Sequence, residues 1–293
     1  MSAFQYAAWR MIRLVVQWLP PGAAYLAAAA LGNAAFFTWR RGRRVTIKNY
    51  RVVLGPGASK RRVERTARTS MVNYCRYLVD FARLPADEAG TQAELVENRR
   101  VLDQLANESG VVVAAMHFGN WDVGALAAAG RGLPITAIAE SFGHPKLDAE
   151  VFGARERAGM EIVPMEQSRL RPLRALKEGR HLLLLVDRPL RSGGARVKFF
   201  GRHTHVPDGA ARLALAANVP VVPAACYRLH RKQPGWRLTL GDAILPPETR
   251  DRAAASHEIM QAVFRAHERI IEQHPAQWYM FRDMWPDDAA GQH

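Results

Sequence analysis

The sequence predicts an α/β fold, a mixed β-sheet covered by helices, with an N-terminal helical extension. From residue 111 onward, short apolar runs typical of buried strands alternate with segments of helical periodicity. Before residue 40, a long uncharged stretch precedes a strongly basic one. A chain of 293 residues can bury the core of one domain plus a small helical extension.

The first 39 residues are predicted to form two apolar helices that associate with a membrane. No charged residue lies between Arg13 and Arg40, and Pro20-Pro21-Gly22 breaks the stretch in two. Residues 23–39 are at the lower edge of the length that spans a bilayer, but they are rich in alanine and contain Asn33. These features favour an in-plane or shallow anchor over a true span or a cleaved signal peptide. The alternative is a pair of helices that simply caps the core.

Residues 40–68 are strongly basic. They hold eleven Lys or Arg residues against Glu64, in a chain whose formal net charge is +14. Such a cluster is typical of surfaces that bind phosphate groups, in anionic lipids or in nucleic acid, although a merely solvated basic surface has the same composition. The uncharged helices before it favour a membrane over nucleic acid as the partner.

The remaining elements follow from apolar spacing. Residues 61–84 have helical periodicity that ends at Pro85. Strands are predicted at residues 111–116, 135–139, 161–163, 181–186, 197–200, 219–227 and 236–240, and helices at residues 121–129, 146–159, 168–177, 208–217 and 253–273. The domain boundaries we expect are 1–39 for the apolar helices, 40–286 for the α/β domain and 287–293 for a frayed tail.

His117 is the strongest candidate for a catalytic residue. It ends the apolar run of residues 111–116 and precedes a turn at Gly119 and a predicted helix that begins at Trp121. In that geometry Asp122 folds back to accept a hydrogen bond from one imidazole nitrogen, and the other nitrogen takes a proton from a hydroxyl group. No Ser or Cys nucleophile accompanies the pair, so we expect the hydroxyl to belong to the substrate.

A purely structural interpretation fits the same residues. Asn120 then caps the helix, Asp122 is a favourable charge in the first turn, and His117 is a loop histidine with satisfied hydrogen bonds. A histidine and an aspartate five residues apart recur by chance, so spacing alone leaves both interpretations open.

Two further segments place polar groups where α/β sheets hold their sites. Asp187 and Arg188 follow the apolar run of residues 181–186, at the carboxyl end of a predicted strand, although they also fit a mutual salt bridge. Gly209 opens a predicted helix whose first N–H groups are free to bind an anion.

Neither histidine nor cysteine spacing indicates a metal site. His203 and His205 lack a third ligand at suitable spacing, so we expect no metal. Cys75 and Cys226 are far apart, which argues against a disulfide scaffold and indicates a reducing compartment.

The motif His117-Phe118-Gly119-Asn120-Trp121-Asp122 resembles the His-x4-Asp motif of the glycerolipid and glycolipid acyltransferase superfamily. In particular it resembles the bacterial branch of lipid A biosynthesis lauroyl/myristoyl acyltransferases and phosphatidylinositol mannoside acyltransferases. Other segments resemble the same branch, and the resemblance extends over most of residues 1–285. They are Asp187-Arg188, Lys198-Phe199-Phe200-Gly201 with residues 206–214, and residues 274–279, which read His-Pro-x-x-Trp-Tyr.

This resemblance implies a membrane-associated enzyme, with residues 40–286 as its acyltransferase domain. The enzyme would move a fatty acyl group from an acyl-CoA or acyl-carrier-protein thioester to a hydroxyl of a membrane glycolipid, with His117 as general base and Asp122 as its partner. The enzyme would act at the cytoplasmic face of an anionic inner membrane. It would bind no nucleic acid and use no cofactor beyond the acyl donor. The acyl chain requires an apolar groove, which we expect the N-terminal helices to roof.

The resemblance also implies which residues surround the substrate: Asn120, Glu140, Arg155, Asp187, Arg188, Phe200, Gly201, Pro207 and Gly209. The segments Ala139-Glu140 and Asp187-Arg188 are more similar to the phosphatidylinositol mannoside acyltransferases than to the lipid A enzymes. One alternative is acylation of a lysophospholipid, although the Glu-Gly-Thr-Arg segment usual there is absent. The other is a nonenzymatic protein that binds anionic membranes or nucleic acid through residues 40–68.

Overall fold

The computed structural model describes residues 3–83, 93–95, 110–157, 159–167, 170–229 and 235–286. Four helices come first: α1 (Ala3–Trp18), α2 (Pro21–Thr38), α3 (Arg40–Val53) and α4 (Lys60–Ala82). α2 crosses α4 very closely, because Gly32 lies against the backbone of Val72, where an added β-carbon would be 2.5 Å from the Val72 Cα. Within the described ranges, no helix combines the length and the apolar character that crossing a bilayer requires.

A mixed, mostly parallel sheet forms the centre of the protein. The strand bounds are β1 (Ala93–Leu95), β2 (Val112–Gly119), β3 (Ile135–Ala139), β4 (Glu161–Pro164), β5 (His181–Leu185), β6 (Ala195–Phe199), β7 (Arg202–Val206), β8 (Val221–Arg228) and β9 (Trp236–Leu240). The strands of the sheet lie in the order β1–β9–β8–β2–β5–β3–β4, and the pair β8–β9 is antiparallel. β6 and β7 form a separate antiparallel hairpin.

Helices cover both faces of this sheet. The helix bounds are α5 (Trp121–Ala129), α6 (Pro145–Arg157), α7 (Arg171–Lys177), α8 (Gly209–Ala217) and α9 (Arg252–Gln273). On β2, the buried side chains of Val112 and Ala114 belong to the same apolar cluster as residues of α8 and α9, whereas Val113, on the other face, packs with α5. This alternation follows from the two-residue period of a strand.

The predicted fold class is confirmed, and the predicted central strands and helices are present with ends shifted by a few residues. The structure adds α3, inside the basic segment, and the strands β1 and β7, none of which the sequence analysis predicted. β7 alternates exposed His203 with buried Thr204 and holds too few apolar residues to resemble a strand. Some predicted features lie outside the described residues: the helix stop at Pro85, the helix positions 84, 158, 168 and 169, and the tail 287–293. Gly159, also predicted to be helical, lies in a turn after α6.

The turn between β2 and α5 depends on Gly119. Its φ of +62° is in the left-handed region, and an added β-carbon would lie 1.9 Å from the carbonyl oxygen of Cys226 on β8. The next residue, Asn120, donates its backbone N–H to that same oxygen at 2.7 Å. The close approach of the two backbones therefore fixes where β2 ends and where α5 begins.

We expect Gly119→Ala to destabilise the protein more than Gly132→Ala does. Gly132 also has a left-handed φ, of +82°, but an added β-carbon there meets nothing within 4 Å. The substitution at Gly132 should lower the unfolding free energy only by the cost of a left-handed φ in a residue with a side chain, about 1–2 kcal/mol. Gly119→Ala adds an overlap with the backbone, for a total loss of about 3–4 kcal/mol. Urea denaturation of both variants checks this. Equal losses of unfolding free energy would contradict the close approach.

Candidate active site

The parallel pairing of β2 with β5 brings His117 and Asp187 together. Ala115 lies opposite Leu185 in that ladder, and each chain continues for two residues to reach His117 and Asp187. The imidazole Nδ1 of His117 lies 2.7 Å from Oδ1 of Asp187, and the backbone N–H of His117 donates to Oδ2 at 3.0 Å. A carboxylate can only accept, so the Nδ1 of His117 carries the proton.

Asp187 is completely buried and held by three donors. Besides the two N–H groups of His117, the indole Nε1 of Trp278 donates to its Oδ2 at 3.0 Å. Burial raises the pKa of the Asp187 carboxyl, but the ion pair and hydrogen bonds with His117 and the bond from Trp278 outweigh that effect, so the pKa lies below its ordinary value. Asp187 is therefore a charged, fixed acceptor near neutral pH.

The other imidazole nitrogen of His117 faces no partner in the described part of the chain. The side chain is 19% exposed, and its ring lies edge-on to Trp121 with the centroids 5.3 Å apart. In the neutral imidazole, Nε2 is thus the hydrogen-bond acceptor, and it lies at the carboxyl end of the sheet. An imidazole oriented in this way can take a proton from a hydroxyl group.

Asp122 does not form the hydrogen bond with His117 that we expected. Its Oδ1 instead accepts from Nε and Nη2 of Arg155 at 2.9 and 2.6 Å, and its Oδ2 accepts from the Tyr77 hydroxyl at 3.0 Å. Asp122 lies on the first turn of α5, Arg155 near the end of α6 and Tyr77 on α4. The carboxylate therefore joins three helices, and Asp187 takes the place beside His117.

The third pair of site residues lies at the same edge. Glu140, which follows β3, forms an ion pair with Arg188, which follows β5. β3 and β5 are neighbours in the sheet, so their carboxyl ends deliver the two charges next to each other. The salt bridge considered for Arg188 thus forms with Glu140, while Asp187 binds His117.

The remaining predicted site residues have structural contacts of their own. Phe200 and Gly201 form the two-residue turn of the β6–β7 hairpin, with φ of 48° and 78°, and the Phe200 N–H donates to Glu268 of α9. Pro207 and Gly209 lead into α8. In the described part of the chain, no hydrogen bond joins these four residues to His117.

An apolar pocket lies between α5 and the sheet. Val113 and Ala115 line it, and they precede His117 on β2 by four and two residues. Trp121 and Gly124 of α5 also line it, near the end of the sheet that carries His117. The other lining residues are Met116, Phe118, Ala125, Ala128, Arg131, Leu133, Ile135, His181, Leu183, Ala224, Ala225, Cys226, Leu238 and Leu240. α5 covers this pocket, and none of the lining residues given above lies in α1 to α4, so the expectation that the N-terminal helices roof an acyl-chain groove stays a prediction.

The described residues include no group of three or more His, Cys, Asp or Glu placed to hold a metal ion. His203 and His205 lie on β7, opposite Lys198 and Arg196 of β6. Basic cross-strand neighbours are unfavourable surroundings for a cation.

Two residues of the site were missed by the sequence analysis. Trp278 was treated as part of the closing His-Pro-x-x-Trp segment, and Tyr77 as one position of a helix. The Trp278 indole binds Asp187, and the backbone N–H of Tyr279 donates to the carbonyl oxygen of His117 at 2.7 Å. The sequence signal for Trp278 was the resemblance of the segment 274–279 to the acyltransferase family, which marked these residues but gave them no role.

The chain matches, over residues 2–286, the family described as bacterial lipid A biosynthesis acyltransferase. It belongs to this family. A phosphatidylinositol mannoside acyltransferase of Mycolicibacterium smegmatis is 27% identical over 291 residues, covering 96% of this chain and 90% of the relative. A phosphatidylinositol mannoside acyltransferase of Mycobacterium tuberculosis is 30% identical over 230 residues, covering 75% of this chain and 70% of that protein.

Family membership makes the protein an acyltransferase. The nonenzymatic alternative considered above is therefore set aside. The His117–Asp187 pair lies at the carboxyl ends of adjacent parallel strands, where open α/β sheets hold their sites.

The tautomer of His117 distinguishes its two candidate carboxylate partners. We expect Asp187→Asn to let the proton of neutral His117 redistribute toward Nε2. The Asn amide, unlike the Asp carboxylate, can also donate and so does not require a donor at Nδ1. Asp122→Asn should leave the proton on Nδ1. Nitrogen-15 chemical shifts of the histidine ring in the two variants measure this. The reverse pattern would show that Asp122 holds the imidazole.

Proposed function

We propose that this acyltransferase moves a fatty acyl group from a coenzyme A or carrier-protein thioester to a hydroxyl of a membrane glycolipid. The observation that carries the proposal is the 2.7 Å contact between His117 Nδ1 and Asp187 Oδ1, which leaves Nε2 as a base. An oriented base is what a substrate hydroxyl needs in order to attack a thioester near neutral pH.

The proposed reaction has two steps. Nε2 of His117 takes the proton of the acceptor hydroxyl while that oxygen forms a bond to the thioester carbonyl carbon, and the carbonyl electron pair moves onto oxygen. The oxyanion then re-forms the C=O bond, the C–S bond breaks, and the proton passes from His117 to the departing thiolate. Asp187 stabilises the imidazolium present between the steps.

Asp122 is assigned a positioning role in this proposal. Its carboxylate neutralises the charge of Arg155, whose side chain is 12% exposed, and accepts a hydrogen bond from the Tyr77 hydroxyl. Burial and the adjacent Asp122 charge raise the pKa of Tyr77, which keeps the phenol a donor. The pair thus fixes the start of α5, the helix that follows His117.

The apolar pocket beneath α5 is the proposed site of the acyl chain. It extends from Trp121 to Arg131 and His181, along a helix of nine residues and about 13 Å. Much of its wall is formed by small side chains, such as Ala115, Ala128 and Ala224. A chain lying there would have its carbonyl end at the edge that carries His117, where the reaction takes place.

The two mycobacterial relatives support a phosphatidylinositol mannoside-type acceptor, and the family description supports a lipid A-type one. We propose a phosphatidylinositol mannoside-type acceptor, because both relatives are named for that activity and match most of this chain. Acylation of a lysophospholipid is the alternative that acceptor profiling tests.

A peripheral attachment to an anionic membrane is proposed from the surface of the N-terminal helices. Trp18, Leu26 and Leu31 are 87%, 74% and 66% exposed on α1 and α2. α3 follows directly and exposes Arg41 and Arg44. Apolar side chains beside a basic helix fit the boundary between acyl chains and anionic headgroups.

The central test is thiol release from palmitoyl and lauroyl thioesters of coenzyme A and of carrier protein, with purified acceptors. We expect acceptor-dependent release by the wild type and none by His117→Ala. Asp187→Asn should lower kcat by up to about 10⁴-fold, because the imidazole loses its orienting carboxylate. Mass spectrometry of the product identifies the acceptor among phosphatidylinositol mannosides, lipid A precursors and lysophospholipids.

His257→Ala is the matched control for that experiment, because His257 is an exposed histidine on α9. It should keep wild-type turnover. Undiminished activity in His117→Ala would refute the general-base role, and wild-type protein that consumes none of these thioesters would refute the proposed donor.

A large side chain in the pocket should shorten the acyl chain that the enzyme accepts. Ala128→Phe is expected to lower kcat/KM for palmitoyl relative to lauroyl donors, because each excluded methylene forfeits about 0.8 kcal/mol of burial, roughly fourfold in kcat/KM. Ala254→Phe is the control, since Ala254 is exposed on α9. An unchanged donor preference in a folded Ala128→Phe variant would place the acyl chain elsewhere.

A further inference from the structure

Asn120 has a donor that the fold does not use. The residue is completely buried between β2 and α5, and its Oδ1 accepts from the backbone N–H of Val123 at 3.0 Å. Its own backbone N–H donates to the carbonyl oxygen of Cys226 at 2.7 Å. The side-chain Nδ2 is buried and has no hydrogen-bond acceptor among the residues that the structure describes.

The orientation of this amide is fixed. If Oδ1 and Nδ2 were exchanged, two donors would face each other at Val123, so the assignment that leaves Nδ2 without an acceptor is the favourable one. The backbone bond to Cys226 and the close packing of Gly119 against the same oxygen hold the turn in place. Nδ2 therefore has a defined position beside the first turn of α5.

Helix capping does not explain an amide here. Ser and Asp cap a helix about as well as Asn does, and neither brings an N–H group. A buried donor without an acceptor lowers the stability of the folded state, so such groups are rare and invite a functional explanation. Asn120 lies three residues after His117.

The surroundings of Nδ2 suit a developing negative charge. The first N–H groups of α5 have no acceptor within the helix, and the helix dipole is positive at this end. Trp121 and Gly124 of the same helix line the apolar pocket. An acyl chain in that pocket would bring its thioester carbonyl to the end of α5 where Asn120 lies.

We propose that Asn120 Nδ2 donates a hydrogen bond to the thioester carbonyl oxygen as it becomes the oxyanion. This assignment rests on the proposed acyl transfer. When the acceptor oxygen bonds to the carbonyl carbon, the electron pair that moves onto the carbonyl oxygen meets the amide N–H, and the bond weakens again when C–S cleavage restores the carbonyl. Asn120 is then a catalytic residue, and its cap to Val123 is the contact that orients it.

The test separates the amide donor from the cap. Asn120→Asp and Asn120→Ser both keep an oxygen for Val123 N–H and both remove the amide N–H. We expect kcat for thioester consumption to fall by about 10²–10³-fold, the effect typical of losing one oxyanion donor, with KM changed less than about threefold and Tm retained in Asn120→Ser. Ser59→Ala, which removes the cap of α4, is the control: it should lower Tm and keep kcat.

Wild-type kcat in a folded Asn120→Ser variant would overturn the inference, as would a loss of activity that only parallels the loss of folded protein. A wild-type protein without thioester consumption would overturn the proposed function and this inference together. Active wild type with unimpaired Asn120→Ser overturns the inference alone.

Discussion

The register between β2 and β5 is the constraint on which the candidate active site depends. Because the two strands are parallel and Ala115 lies opposite Leu185, His117 and Asp187 lie side by side at the carboxyl edge of the sheet. A shift of one residue would turn His117 to the other face of the sheet, away from the pocket beneath α5. The position of His117 therefore depends on the apolar residues of β5 and β2 that pair in this register, far more than on local sequence.

A second set of contacts fixes the helices around that pair. The Asp122 carboxylate accepts from Arg155 and Tyr77, so α4, α5 and α6 meet at one buried charge. Removing one member would leave the other ion without compensation, which is costly in a buried site, whereas an intact pair contributes specificity more than net stability. The motif aspartate thus has a physical reason to be present without touching the imidazole.

The sequence predicted the strand and helix of the His117 motif well, because apolar runs and a glycine turn are local signals. It also predicted that Asp187 lies at the carboxyl end of a strand. It failed on which carboxylate binds His117, because that depends on strands adjacent in space and far apart in the chain. Helix α3 was missed since six of its fourteen residues are basic, and the contacts that stabilise it, such as Asn49 to the Met280 carbonyl, are long-range.

The segment 274–285 closes the edge of the sheet that carries His117 and Asp187, and it is synthesised late. Trp278 binds Asp187, its carbonyl accepts from the Tyr50 hydroxyl, and Asn49 donates to the carbonyls of Met280 and Arg282. Residues 274–285 leave the ribosome after every described strand of the sheet. A nascent chain can therefore pair its strands while the carboxylate beside His117 still lacks its indole donor, which arrives only when Trp278 has been synthesised.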